Sequence, residues 1–237
     1  MAETGFWAVV PSKDLRRAKQ RLAPVLAPAE RSGLARAMLE DVLSALASVH
    51  GLAGLLLVTT DGELARLART FGARLVLETD GRGVTAAVTA GMQTLATEQA
   101  TGMLIVPADV PLITAAEIDS ILAAHGPAPA VTLAPAVVDG GSNALACSPV
   151  DAIPFRFGPE SFRRHREAAR QHGIEPGVVR LPGLARDIDR PEDLGRFVAR
   201  PSPTRAYAYL EERGIVARLR AMPQDRPFTT SALRDAS

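Results

Sequence analysis

An aspartate stands between two prolines directly after an apolar run. Asp109 belongs to the stretch VPADVPL, which begins as the apolar run Met103–Val106 ends. A carboxylate cannot stabilise a hydrophobic core, and once it is removed from water it needs a cation or hydrogen-bond donors as partners. Asp109 is therefore a candidate catalytic and metal-binding residue, with the capping of a turn or helix as its alternative role.

A basic segment near the amino end could supply the cations. Five of the residues from 13 to 21 are cationic, namely Lys13, Arg16, Arg17, Lys19 and Arg21. Such charges repel one another unless an anion lies among them, and the mixture of ammonium groups and forked guanidinium groups suits a triphosphate. The segment follows a predicted strand, which favours a binding role over the alternative of a solvated basic loop.

A glycine-rich segment, TDGRGVTAA, precedes a predicted helix. Gly81 and Gly83 allow backbone N–H groups to approach a ligand, and the helix after them offers its positive end. Together with Thr85 they form a candidate nucleotide-binding segment. It matches neither the Walker pattern nor the GxGxxG dinucleotide pattern, and a plain turn is the alternative interpretation.

Two further carboxylates, Asp187 and Asp189, are two residues apart. In an extended segment side chains alternate, so both carboxylates would lie on one face. Phosphates and carboxylates that share a crevice imply a bridging divalent cation, and magnesium usually takes one or two carboxylates together with phosphate oxygens. We therefore predict Mg²⁺ as the cofactor, with Asp109, Asp187 and Asp189 as candidate ligands. In the alternative, Asp189 caps the helix that begins near Pro191.

Hydroxyl and backbone N–H groups beside glycines form a candidate anion site. Ser142 follows a glycine pair, while Gly158 and Ser161 belong to FGPES at the start of a predicted helix. A helix N-terminus can receive a phosphate or a carboxylate, although a turn and a cap explain both segments equally well.

The histidines, His50, His125, His165 and His172, show no metal-binding spacing and are assigned no role. Cys147 lies in an apolar run and is expected to be inert core.

Strands and helices alternate along the first half of the chain. Apolar runs predict strands at 6–10, 55–59, 74–77 and 103–106, and helices at 28–50, 62–71, 84–98 and 114–125 lie between or after them. This alternation is typical of a parallel sheet covered by helices. In the second half we predict strands at 131–134 and 143–147 as an antiparallel addition, and helices at 159–172 and from residue 191.

The basic segment, the glycine-rich segment and the segment with Asp109 occupy equivalent positions in the predicted parallel sheet. Residues 11–22, 78–86 and 107–112 all follow predicted strands, and in open parallel sheets ligands bind outside the carboxyl ends of the strands. We therefore expect one crevice that brings the basic segment, the glycine segment and Asp109 together.

Length, charge and composition narrow the class of protein. A chain of 237 residues suits one α/β domain with an appendage. A formal charge of +1 argues against a general nucleic-acid binder. The single cysteine, and the absence of both a secretory signal and a long apolar run, lead us to expect a cytoplasmic protein that does not contact membranes.

Taken together, these motifs resemble the guanylyltransferases of coenzyme F420 biosynthesis, which use phosphoenolpyruvate, 3-phosphoglycerate or 2-phospholactate. The matching stretches, which span residues 6–198, are PSK (11–13), AKQRL (18–22), PAER (28–31), PADVPL (107–112), GSNAL (141–145), FGPESF (157–162) and DIDRPEDL (187–194). Where this family often has Gly-Leu-Asn, the chain has Gly83-Val84-Thr85, and Ser142 stands where threonine is usual.

The resemblance implies a Rossmann-like nucleotidyltransferase fold of the GT-A type, a three-layer sandwich with a mainly parallel sheet. It implies transfer of GMP from GTP to a small phosphorylated acid, with release of pyrophosphate. The roles that it assigns are as follows: Lys13, Lys19, Arg21 and Asp109 in catalysis; Lys13, Lys19, Arg21, Gly81, Gly83 and Thr85 in nucleotide binding; Ser142, Gly158 and Ser161 in acceptor binding; Asp109, Asp187 and Asp189 in magnesium binding.

Other readings remain open. The chain could be a nucleotidyltransferase for molybdopterin or a sugar phosphate, or a nucleotide-binding regulator without catalysis. We expect a nucleotidyltransferase domain over residues 1–200 and a helical extension with a flexible tail over 201–237. The extension could dock on the domain, act as a lid, or form the arm of a homodimer.

Overall fold

The computed structural model describes residues 5–77, 83–138 and 140–222. Within these residues seven strands form one sheet: β1 (Phe6–Ser12), β2 (Gly54–Thr59), β3 (Arg74–Leu77), β4 (Gly102–Ile105), β5 (Ala130–Pro135), β6 (Ser142–Ser148) and β7 (Gly177–Val178). Their order across the sheet is β3-β2-β1-β4-β6-β5-β7. Strands β3, β2, β1 and β4 are parallel, and β6 is antiparallel to both β4 and β5. The predicted α/β class, with its antiparallel addition, is confirmed.

Helices cover both faces of this sheet. They are α1 (Pro28–Ala47), α2 (Gly62–Thr70), α3 (Val84–Thr97), α4 (Ala115–Ala124), α5 (Ser161–Gln171), α6 (Pro191–Val198), α7 (Arg205–Glu212) and α8 (Ile215–Arg220). Alternation along β1 sends Val9 into one apolar layer, with residues of α3 and α5, and Val10 into the other, with residues of α1, α2 and α4. None of the helices in the described part has the length and apolarity of a membrane span.

Side-chain caps mark the starts of α2 and α4. The Asp61 carboxylate accepts the backbone N–H of Glu63 at the start of α2, with a donor–acceptor distance of 2.8 Å. At the start of α4, Thr114 and Glu117 each accept the other's backbone N–H at 3.2 Å, a reciprocal capping box. These bonds set where the helices begin, and so they also set where the loops before them end.

The register of the sheet brings distant segments to one edge. Val9 pairs with Ile105, and the backbone N–H of Val106 donates to the carbonyl of Val9, so the chain leaves β1 and β4 side by side. Because β6 runs antiparallel to β4, the first residues of β6 lie at the same edge, with Leu145 paired to Ile105. Ser142 is therefore carried to the edge from which Asp109 projects.

A third apolar cluster joins the C-terminal helices to the rest of the fold. It unites Leu22 and Leu26 of the basic segment, Met38 of α1, Ile188, and residues of α6, α7 and α8. The predicted helical stretch after residue 200 is two helices that are separated at Gly214, whose φ of +68° suits glycine. Since the cluster runs across residue 200, the predicted division there marks no gap in packing. Residues 223–237, expected to be a flexible tail, lie outside the described residues.

Two features were not predicted. Residues 15–17 and 20–22, expected to be loop, form short 3-10 turns, and β7 adds a parallel strand beside β5. Both are only two or three residues long, so neither leaves a periodic apolar pattern in the sequence.

Candidate active site

A cleft of about 380 Å³ opens at the carboxyl ends of β1 and β4. Its lining contains the charged residues Lys13, Arg17, Lys19, Arg21, Asp109 and Asp189, together with apolar residues such as Val84 at the start of α3. The volume lies within the usual range for small-molecule sites. The crevice expected from the strand order is thus present, and it joins the basic segment to Asp109.

Lys19 lies at the centre of the charged residues in this cleft. Its Nζ is 2.6 Å from Asp109 Oδ2 and 3.7 Å from Asp189 Oδ1, and only 9 % of its side chain is exposed. The backbone of Lys19 is left-handed, with φ +52° and ψ +40°, a conformation that costs roughly 1–2 kcal/mol for a residue with a Cβ. Packing of the neighbouring Leu22 in the third cluster helps to hold this strained turn, which aims the ammonium group at both carboxylates.

The two carboxylates are held by backbone contacts and by the start of α6. The backbone N–H of Ile188 donates to the carbonyl of Asp109 at 3.0 Å, which ties their segments together. Asp193 caps α6 by accepting the backbone N–H groups of Asp189 and Arg190. The Asp189 carboxylate is therefore not the cap, and it pairs instead with Lys19 and Arg21.

The five cations of the basic segment divide into groups. Arg16 points to solvent and pairs with Asp14, two residues before it, and Arg21 pairs with Asp189. Lys13 and Arg17 line the cleft. Across residues 5–77, 83–138 and 140–222 neither forms an ion pair, although the Arg17 charge helps to lower the pKa of Asp14. The sequence identifies Arg17 as one of the five cations but does not place it in the site, because the orientation of its side chain depends on the short 3-10 turns.

Asp187 faces a different neighbour from Asp189. Its Oδ1 accepts from the side-chain amide of Asn143 at 3.0 Å, and it lines a second depression of about 450 Å³. Residues 187–189 do not form a strand, so the alternation rule that predicted a common face does not apply to them. The sequence analysis includes Asn143 only as part of GSNAL and misses its contact with Asp187, since a short polar side chain in a strand does not indicate a partner so far along the chain.

The carboxylates can be compared with the needs of a magnesium ion. Among the described residues, no three Asp, Glu, His or Cys side chains converge as a metal-binding set. Asp109 and Asp189 do flank a single cation, the Lys19 ammonium, and free cationic side chains lie beside them. Magnesium ions that bind nucleotides usually take one or two carboxylates, and phosphate oxygens complete the ligand set. Asp109 and Asp189 therefore fit such an ion.

The glycine segment meets the cleft only in part. Gly81 lies outside the described residues. Gly83, with φ +101°, precedes α3, and Val84 lines the cleft. The Thr85 hydroxyl accepts the backbone N–H of Phe157 at 3.1 Å, which joins this segment to FGPES.

The residues with predicted acceptor roles form a buried network. The backbone N–H of Ser142 donates to Ser161 Oγ at 2.9 Å, and Ser142 Oγ lies 3.0 Å from Nδ1 of His165. Gly158, with φ +115°, shapes the turn before Ser161. Ser142 and Ser161 are brought together, but they line neither the charged cleft nor the second depression.

His165 is the second residue that the sequence analysis missed, since it had been assigned no role. It is fully buried, and its ring packs edge-on against Phe157 with 4.8 Å between ring centroids. Burial, with a smaller effect from the nearby Arg164 guanidinium, lowers the pKa of His165 to about 4. The imidazole is therefore neutral at physiological pH, and a lone histidine on a helix face gives no sequence signal for this environment.

A comparison with protein families decides the assignment. The family described as "Guanylyl transferase CofC like" matches residues 6–229. The chain belongs to this family. The expected resemblance is confirmed, and the family match extends beyond residue 198 to include α7 and α8. As a CofC-like guanylyl transferase, the chain is a nucleotidyltransferase.

Curated relatives agree with the CofC-like assignment. A phosphoenolpyruvate guanylyltransferase of Rubrobacter xylanophilus is 41% identical over 193 residues, which are 81% of this chain and 93% of the relative. A 3-phospho-D-glycerate guanylyltransferase of Colwellia psychrerythraea is 35% identical, with 82% and 92% covered. A 2-phospho-L-lactate guanylyltransferase of Methanothermobacter thermautotrophicus is 34% identical, with 86% and 89% covered.

Solved structures confirm the nucleotidyltransferase fold of this CofC-like chain. A protein of Desulfovibrio desulfuricans G20 assigned to the nucleotide-diphospho-sugar transferases superposes with a TM-score of 0.70 at 17% identity, covering 91% of this chain and 98% of that protein. A cytidylyltransferase of Leptospira borgpetersenii gives a TM-score of 0.55 at 11% identity, with 96% and 99% covered. At such identities these likenesses concern the fold alone.

Proposed function

We propose that this chain transfers GMP from GTP to the phosphate of a three-carbon acid and releases pyrophosphate, in coenzyme F420 biosynthesis. The observation that carries the proposal is the arrangement around Lys19. One ammonium lies between Asp109 and Asp189, and Lys13 and Arg17 line the same cleft without an ion pair to any described residue. A nucleoside triphosphate supplies the anion that these free cations lack. The relatives named as guanylyltransferases support guanine as its base.

In the proposed reaction, an oxygen of the acceptor phosphate attacks the α-phosphorus of GTP and forms a new P–O bond. The bond from that phosphorus to the β-phosphate bridging oxygen breaks, and pyrophosphate leaves with the electron pair. A phosphate monoester is largely ionised near pH 7, so the attacking oxygen needs no general base. Catalysis then consists of positioning and of stabilising negative charge.

Each charged group of the cleft has a part in this scheme. Lys13, Arg17, Lys19 and Arg21 hold the triphosphate, with Gly83 and Thr85 at the neighbouring helix start. Asp109 and Asp189 would hold Mg²⁺, which neutralises charge on phosphate oxygens when it is bound. Asp187, tied to Asn143, orients the segment or reaches a second ion.

The acceptor is proposed to bind at the adjoining edge of the sheet. Ser142, Gly158 and Ser161 lie there, and Thr85 links their loop to the nucleotide side of the cleft. Relatives named for phosphoenolpyruvate are 34% to 42% identical to this chain, and those named for the other two acids are 34% to 36% identical. We expect phosphoenolpyruvate to be the preferred acceptor, in the cytoplasm where GTP is available.

Pyrophosphate release tests the proposal directly. Each of GTP, ATP, CTP and UTP is paired with phosphoenolpyruvate, 3-phosphoglycerate and 2-phospholactate in the presence of Mg²⁺, and product masses are recorded. We expect turnover with GTP and at least one of the acids. GTP binding without pyrophosphate release for any acid would contradict the proposal and favour a regulator, and release with only a sugar phosphate would favour a different transferase.

A further inference from the structure

A buried histidine contacts the serine that is proposed to meet the acceptor. His165 has no exposed surface. Its Nε2 is 3.0 Å from the backbone nitrogen of Arg156, and its Nδ1 is 3.0 Å from Ser142 Oγ. Both partners are therefore within hydrogen-bond distance of the two ring nitrogens.

These two contacts determine which ring nitrogen carries the hydrogen. A backbone N–H can only donate, so Nε2 must accept from Arg156 and cannot be protonated in the neutral ring. Nδ1 then carries the hydrogen and donates it to Ser142 Oγ. The low pKa of His165, which results mainly from burial, is consistent with this neutral form.

The tautomer in turn determines the role of the serine hydroxyl. Once Ser142 Oγ accepts from His165, its own hydrogen must be donated elsewhere, and none of the described residues accepts it. Ser161 Oγ likewise accepts a hydrogen bond, from the backbone N–H of Ser142, and its own hydrogen has no acceptor among the described residues. Among the described residues, two hydroxyl hydrogens in one small region are thus left without an acceptor.

This region adjoins the charged cleft through short links. The ring of Phe157 packs on His165, and its backbone N–H donates to the Thr85 hydroxyl. Val84, which precedes Thr85, lines the cleft. On the other side of Ser142, Asn143 donates to Asp187. Ser142 and Ser161 are only 6% and 3% exposed and line neither depression, so the acid meets their hydroxyl hydrogens only where it reaches from the cleft to this loop.

We infer that His165 is a positioning residue for the acceptor: by donating Nδ1–H to Ser142, it makes the serine hydroxyl donate to an anionic oxygen of the phosphorylated acid. The inference rests on the proposed function and names a residue of the acceptor site. The opposite tautomer would take the serine hydrogen and turn a lone pair toward the acid, which would repel it. Arg156 thus acts through its backbone to select the attractive arrangement.

Two substitutions of His165 separate its two hydrogen bonds. Asparagine is short, and its amide can replace Nδ1–H as the donor to Ser142. Glutamine is longer, and its amide can replace Nε2 as the acceptor from Arg156. In steady-state kinetics we expect His165→Gln to raise the KM for the acceptor about tenfold, and His165→Asn to raise it less than about threefold, which corresponds to one hydrogen bond lost or kept. The KM for GTP should change less than about twofold in both.

Ser142→Ala provides the second arm of the test. It should raise the KM for the acceptor by about as much as His165→Gln, and the double variant should be no worse than Ser142→Ala alone, since both changes remove the same hydrogen bond. His125→Gln is the matched control, because His125 is also bonded to two hydroxyls, of Thr132 and Ser148, but at the far end of β5 and β6. It should leave both KM values unchanged.

Nitrogen NMR of the imidazole reads the tautomer without any turnover. We expect hydrogen on Nδ1 of His165 in the wild-type chain, and hydrogen on Nε2 would overturn the inference even if the enzyme is active. Equal effects of the two His165 variants on the KM for the acceptor, or additive effects with Ser142→Ala, would overturn it too. If the wild-type chain transfers GMP to no acid, the proposed function fails, while the NMR result still decides the tautomer.

Discussion

One ammonium group holds two carboxylates together in the cleft. Lys19 takes a strained backbone conformation and has little exposed surface, so its placement costs both conformational and desolvation free energy. Stability alone does not explain such an arrangement. The proposed function would explain it, since a bound triphosphate would pair with Lys19 and Mg²⁺ would then lie between Asp109 and Asp189.

Removing the charge of Asp109 should stop transfer without unfolding the chain. Asp109→Asn keeps the shape of a side chain that is 28% exposed, and we expect kcat to fall at least about a hundredfold, as when other charge-stabilising groups are removed. Stopped assays of pyrophosphate release measure this. Asp119→Asn, on the exposed face of α4, is the control and should be fully active. Wild-type turnover by Asp109→Asn would end the assignment.

We expect Lys13 and Arg17 to contribute to GTP binding rather than to the stability of the fold. Lys13→Ala and Arg17→Ala each remove one charge that forms no ion pair within the described residues, so we expect the KM for GTP to rise about tenfold in each. Arg16→Ala is the matched control from the same segment, since its guanidinium is 88% exposed and pairs with Asp14. Equal increases in the KM for GTP in all three variants would contradict specific binding by Lys13 and Arg17, because they would reflect only the net positive charge of the segment.

His165 should make the chain sensitive to mild acid. Its folded pKa of about 4 lies below the ordinary 6.5, so the unfolded chain binds more protons in that window, and stability falls as the pH falls through it. The expected contribution is about 2 kcal/mol between pH 7 and pH 5. Urea unfolding at both pH values measures it. His165→Asn should lack this part of the loss, and an unchanged pH dependence would contradict the buried neutral ring.

Among the elements, α1 contacts the C-terminal helices through several polar groups, and the Asp41 carboxylate binds the start of α7. The two oxygens of Asp41 accept the backbone N–H groups of Arg205 and Ala206 at 2.8 and 2.9 Å. Burial raises the pKa of Asp41 in spite of these bonds. The first two backbone N–H groups of α7 are therefore capped by a residue 164 positions before Arg205 in the chain, while Thr204 caps that of Tyr207.

Loss of this cap should loosen α7. Asp41→Ala leaves two backbone donors unpaired, and we expect the free energy of unfolding to fall by about 1–2 kcal/mol. Glu40→Ala changes the neighbouring carboxylate, whose ion pairs with Arg36 and Arg205 are at the surface, and should cost less than about 0.5 kcal/mol. Urea unfolding compares the two variants. Equal losses would mean that the Asp41 bonds add nothing.

Local pattern was sufficient to predict the main elements. The strands and the capped helices carry apolar periodicity and capping residues that act over a few positions, as at Asp61 and Thr114. The meeting of Lys19 with Asp109 followed from strand order alone. The network of Ser142 with His165, the free state of Arg17 and the cap from Asp41 depend on tertiary contacts, which no local pattern encodes.

At the scale of the whole molecule, the sheet and the third cluster assemble the site from distant parts of the chain. Parallel strands bring the basic segment and Asp109 to one edge, and the antiparallel β6 brings Ser142 to the same edge. The third cluster holds Leu22 and Ile188, the neighbours of Lys19 and Asp189, together with α7 and α8. The C-terminal helices thereby support the cleft, which agrees with a family match that includes them.

The path of oxygen atoms tests the central claim most directly. Phosphoenolpyruvate whose phosphate carries heavy oxygen is incubated with GTP, Mg²⁺ and the wild-type chain, and both products are analysed by phosphorus NMR and mass spectrometry. If the acceptor phosphate attacks the α-phosphorus in the cleft, every labelled oxygen stays in the guanylylated acid, one of them in the new bridge, and the pyrophosphate carries none. Label in the pyrophosphate, or GMP released by water with the acid unchanged, would contradict the account.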